Sequence, residues 1–258
     1  MISISRPLHA EACFFVLSHL ELGRDAASLH DRRRKPKPWS PSLLSAYREA
    51  PGRLVIHALP LWAPSWGEMT AALTEHRLPT LRDSAGKRLA AVLLEALEVE
   101  RPAVESSWLL GRRRAQARAT EFEAHLPGLG RARNALWGEI GRAPPELEIL
   151  DCASLETRGG THGRGALHPG RHAIAVSLSA PLEQVACQVL HEAVHPVTDP
   201  SVRARFRGVP QDTREGTSGF ALHLALEEAA IHMGQRLVEL HIPRLLPAYL
   251  HWRHRHGR

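Results

Sequence analysis

Two histidines four residues apart, with a glutamate directly after the first, are the residues of this chain best suited to metal chemistry: His191-Glu192-Ala193-Val194-His195. On a helix, positions i and i+4 share one face about a turn apart, so both imidazoles can meet on a single cation. Glu192 falls on an adjacent side of the same helix. A carboxylate there can take a proton from a water that the cation acidifies. The chain holds 17 histidines, so the pair carries weight only if its surroundings place it on a helix and bring a third donor to it.

The surroundings predict the helix. Ser179 and Pro181 are start signals. Leu182, Val185, Ala186, Val189 and Ala193 then form an apolar stripe. His191 and His195 fall together on the other side, beside Gln184 and Gln188. Such a face suits a cleft and suits solvent equally. Pro196 predicts that the helix ends at or just before it, leaving His195 in the last turn. Asp199 then has two available roles, orienting an imidazole or capping a turn with Pro200, and the turn is the expected one.

A catalytic zinc centre takes three protein ligands and a water. No third histidine stands at the HExxHxxGxxH spacing, where this chain has Thr198 and Ser201. A second helix is predicted over residues 218–240, and it carries Glu227 and Glu228. Its core stripe reads Leu226, Ala230, Met233, Leu237 and Leu240. At about 100° per residue, Glu228 points nearly opposite that stripe, and Glu227 lies at its border near His223 and Gly234. A ligand between packed helices belongs at the border. Glu227 is therefore the expected third ligand for Zn2+, and Glu228 the alternative.

A strand, a helix with HExxH and a later helix with a glutamate, in that order, resemble the zincin metallopeptidases and among them the gluzincins. The resemblance covers about residues 145–240, with Glu227-Glu228-Ala229-Ala230 similar to the family's ExxA element. It implies a zinc-dependent hydrolase acting on a peptide or protein substrate. His191, His195 and Glu227 or Glu228 would hold the metal, and Glu192 would be the general base. It also implies that the segment HAIAVSLS is the sheet edge that borders the cleft and pairs with extended substrate. Such enzymes usually add a hydrogen-bond donor for the developing oxyanion, and His223 and Tyr249 are the candidates. His162 and His168 read as surface residues of a glycine-rich loop. The chain departs from the family at the aspartate that often follows the third ligand by four positions: Ile231 follows Glu227 and His232 follows Glu228.

The remaining elements frame this site. Helices are expected over residues 8–22, 64–76, 84–100, 105–126 and 132–141, with a short strand at 53–59, a strand-like run within 142–152 and a loop over 156–172. The fold class is α+β and mostly helical: a zincin-like core with a small sheet and an HExxH helix, preceded by a helical N-terminal region. The expected boundary separates residues 1–141, of unassigned role, from residues 142–258, which end in a basic tail. With 43% hydrophobic residues the 258-residue chain can bury a real core.

Composition leaves a second class of function open. The net charge is +6, and basic residues cluster at 32–37, at Arg112-Arg113-Arg114 and in the tail. Such runs suit nucleic acid or another polyanion, although no helix-turn-helix, RNA-recognition or zinc-finger signature accompanies them. A zincin-like sensor or scaffold that binds metal without turnover is the third reading. Three scattered cysteines with no CxxC pair argue against a zinc ribbon or a disulfide framework and suit a reducing compartment. The start lacks secretory-signal features and no run approaches the roughly 18 apolar residues of a membrane span. The expected location is cytoplasmic.

Overall fold

The computed structural model describes residues 1–19, 45, 55–155, 160–164, 171–209 and 216–256. Its centre is a small sheet of β1 (Ile2–Ser5), β2 (Glu146–Asp151), β3 (Gly160–Arg164) and β4 (Arg171–Val176), in the spatial order β1-β2-β4-β3. β1, β2 and β4 run parallel, with Ile4 opposite Ile149 and Ile149 opposite Ile174. β3 closes the sheet antiparallel to β4. The strand expected from HAIAVSLS is thus an inner strand, and the edge is β3, which lies inside the segment read as a loop. Glycines and polar residues in GTHGR carry little strand propensity; pairing with β4 supplies the ladder that the sequence does not announce.

The inner parallel strands β2 and β4 are buried on both faces, as covered parallel strands are, while β1 is only partly covered. Leu147, Ile149, Ile174 and Val176 face one apolar cluster, while Leu150, Ala173 and Ala175 face another. The second cluster takes in α1 (Leu8–His19), α2 (Val55–Trp62), α3 (Trp66–Thr74) and α4 (Ser84–Leu110). The first takes in α5 (Arg112–Glu123), α6 (Leu126–Glu139), α7 (Leu182–Arg205), α8 (Ser218–His241) and α9 (Leu246–His256). The chain is α+β and mostly helical. The expected boundary near residue 142 falls between α6 and β2, and the sheet spans it, because β1 pairs with β2.

Several helices differ from expectation, each for a physical reason. The described part of 53–59 is the start of α2, where Leu59 and Leu61 are both buried among α1 and the sheet; alternation over seven residues does not separate strand from helix. α4 is one helix where two were expected. Its Pro102 sits on an exposed position, so the carbonyl that loses its partner can take water instead. α7 runs through Pro196 and Pro200 to Arg205. Beyond the motif it is held by Val202, which packs with Leu222 and Leu226 of α8.

α8 buries a broader face than the expected stripe. Ile231, Gly234 and Val238 are buried, and Leu240 is 62% exposed. The cause is α9, which packs on both α7 and α8. Tyr249 donates its hydroxyl hydrogen to Ile231 O at 2.9 Å, and Arg253 bonds Gln235. A Cβ placed on Gly234 would lie 2.3 Å from the Tyr249 hydroxyl. Gly234→Ala should therefore push α9 off α8 and destabilise the chain by about 1–3 kcal/mol. Chemical denaturation with an unchanged midpoint would show that this close approach is absent.

Candidate metal centre

The face of α7 that carries the histidines is not a solvent face. Every residue from Val185 to His195 on this helix is buried. Ile174 and Val176 of β4 lie in the cluster with its apolar side, and α8 and α9 pack on the helix. His191 is 3% exposed and His195 4%. Buried imidazoles need polar partners, and here α8 provides one. Glu227 Oε2 lies 3.0 Å from His191 Nε2, and Glu227 Oε1 lies 3.8 Å from His195 Nε2. The two Nε2 atoms are 3.2 Å apart.

These separations test whether the group fits zinc. Bonds of about 2.0–2.1 Å at tetrahedral angles put neighbouring ligand atoms about 3.3 Å apart. The 3.2 Å between the imidazole nitrogens and the 3.0 Å from His191 to Glu227 Oε2 lie near that value, His195 is 3.8 Å from the other carboxylate oxygen, and one ligand atom from each residue lies within 4.8 Å of the others. His191, His195 and Glu227 form the one group among the described residues that could hold a metal ion. The donor set, two imidazoles and one carboxylate, is that of an open catalytic zinc site.

Burial works to raise the Glu227 carboxyl, but its bond to His191 and the charge of both imidazoles outweigh burial and hold it below the usual carboxylate range. Glu227 is thus an anion facing two ring nitrogens. None of the three cysteines belongs to this group. Burial pushes the Cys13 and Cys187 thiols up to about 12, and burial likewise raises Cys152, so none offers a thiolate near neutrality.

The continuation of α7 past Pro196 has a direct consequence. Asp199 is helical, one turn after His195, and its Oδ1 lies 2.9 Å from His195 Nδ1. It orients the imidazole and does not cap a turn with Pro200. A carboxylate at Nδ1 holds the proton there and leaves the Nε2 lone pair toward the centre.

The other expected residues separate clearly. Glu228 is 75% exposed and lies 3.7 Å from His232, away from the imidazoles. His223 Nδ1 stands 3.9 Å from Glu227 Oε1 at the rim of the centre. Tyr249 does not serve the site as an oxyanion donor, because its buried hydroxyl is spent on Ile231 O. Glu192 is 7% exposed and accepts from Gln188 Nε2 at 2.7 Å. The side chains of β3, including His162, and the whole of His168 lie outside the described residues, as does the basic cluster 32–37. Arg112, Arg113 and Arg114 are exposed at the start of α5.

Trp252 was not legible as a site residue. It lies in the basic segment read as a tail, which is the helix α9, and it is 3% exposed. Its ring packs on His191 with centroids 4.9 Å apart. No spacing rule links it to a motif so far back in the chain. Gln188, by contrast, stands one turn before Glu192, and that i, i+4 relation was readable.

No protein-family model, curated protein or solved structure matches this chain at a significant level. Among the described residues, no helix is long and apolar enough to cross a membrane.

Two outcomes follow for metal content measured by elemental analysis. His191→Ala and Glu227→Ala should lose zinc while Glu228→Ala keeps it; retention in Glu227→Ala would remove that residue from the centre. Asp199→Asn should weaken zinc affinity by about 10- to 100-fold, as loss of an orienting partner does. Unchanged affinity in a competition titration would show that His195 needs no such support.

Proposed function

We propose that this chain is a zinc-dependent peptidase of gluzincin type. The observation that carries the reading is the position of Glu227, on a separate helix, within reach of both HExxH imidazoles, while Glu228 points to solvent. When bound, zinc supplies Lewis acidity toward a water and toward the scissile carbonyl oxygen. His191 and His195 would hold the metal as neutral donors, and Glu227 would contribute the anionic one. Asp199 keeps the His195 proton on Nδ1. Glu192 accepts the proton of the attacking water and returns it to the leaving amine. His223, at the rim, is the candidate donor to the developing oxyanion, now that Tyr249 is committed elsewhere.

Glu192→Gln keeps the shape of the site and removes the base. On a quenched-fluorescent peptide library, activity should fall by about 100- to 10,000-fold, with zinc content unchanged. Full activity in this variant would refute the assignment of Glu192. Zinc binding at one ion per chain with no cleavage by the wild type would favour the sensor or scaffold reading over the peptidase.

A further inference from the structure

Glu192 is held by a chain of hydrogen bonds that starts on α9. The Trp252 indole N–H donates to Gln188 Oε1 at 2.9 Å. Gln188 Nε2 donates to Glu192 Oε1 at 2.7 Å. The order of these bonds matters, because an amide has a donor end and an acceptor end while an indole nitrogen only donates. The indole therefore claims the oxygen of Gln188 and turns its nitrogen toward Glu192. Without the indole N–H, the amide could turn end for end and set its oxygen against a carboxylate. Trp252, Gln188 and Glu192 are 3%, 8% and 7% exposed, so water competes weakly for these bonds and each is strengthened by the low local dielectric.

The same indole has a second contact. Its ring lies against His191 and is backed by Tyr249, with centroids 5.4 Å apart. Tyr249 is anchored to the Ile231 carbonyl of α8. One side chain of α9 thus touches an imidazole of the centre through its ring and reaches the adjacent carboxylate through its N–H.

We propose that Trp252 and Gln188 are positioning residues for Glu192, with the indole N–H setting the polarity of the Gln188 amide. One carboxylate oxygen is thereby held in a fixed bond, and the rotamer of Glu192 is fixed with it. Neither residue touches the reacting atoms; both act through Glu192. The inference rests on the reading of Glu192 as the general base.

The test uses the full-length, zinc-loaded chain and three variants: Trp252→Phe, which keeps one aromatic ring against His191 and removes the N–H together with the second ring of the indole; Gln188→Met, which keeps length and removes the amide; and the double variant. Zinc content and KM on the cleaved peptide should stay at wild-type values in all three. The kcat of each single variant should fall about 10- to 100-fold, and the double variant should fall no further, because both substitutions break one chain. Wild-type kcat in Trp252→Phe overturns the proposal. So does a loss of zinc or of melting temperature with kcat per bound zinc unchanged, which would mark Trp252 as packing alone. A second readout needs no cleavage. The side-chain NH2 resonances of Gln188, identified by their loss in Gln188→Met, should shift in Trp252→Phe and in Glu192→Gln. Signals that do not respond to Trp252→Phe overturn the proposal. A wild type that cleaves no peptide while these signals respond defeats the peptidase reading and supports the positioning of Glu192 by itself.

Discussion

Two buried imidazoles meet a carboxylate that is 36% exposed between α7 and α8, and the architecture around them depends on that contact. Taking such groups out of water costs several kcal/mol unless each finds a partner. Leucines at the same positions would pack two helices more cheaply. Hydrogen bonding accounts for some of the contact, since His191 and Glu227 lie 3.0 Å apart. It accounts less well for the 3.2 Å approach of the two ring nitrogens, because with His195 protonated at Nδ1 a single His191 Nε2–H has to serve both His195 and Glu227. A cation shared by the three donors would accept one lone pair from each.

The rest of the fold can be understood as support for this contact. The sheet lies in the apolar cluster behind α7, with Ile174 and Val176. The unbroken run of α7 past Pro196 carries Asp199 to His195, so a helix position that appears unfavourable on propensity alone has a use in the site. α9 covers the face from the other side, through Trp252 on His191 and Tyr249 on α8. Each of these elements contributes a fixed orientation to a side chain that in an isolated helix would sample several rotamers.

Much of the centre was legible because helical periodicity alone places it. The border position of Glu227 and the outward direction of Glu228 follow from 100° per residue, and the side chains lie accordingly. What was not legible depended on contacts far apart in the chain. α9 broadens the buried face of α8 and brings Trp252 to His191, and no local pattern in residues 246–256 signals either. β3 draws its strand character from β4, so a glycine-rich stretch that reads as loop becomes the sheet edge. Pro196 misled for a related reason: the rule that a proline ends a helix is a local one, and the packing of Val202 against Leu222 and Leu226 overrides it.

The central claim is that His191, His195 and Glu227 bind one zinc ion. X-ray absorption at the zinc edge of the loaded protein tests it most directly. Zinc held by these three side chains should show a first shell of nitrogen and oxygen only, at about 2.0–2.1 Å, with outer-shell scattering from two imidazoles. Failure to retain zinc, or a first shell containing sulfur at about 2.3 Å, would contradict it.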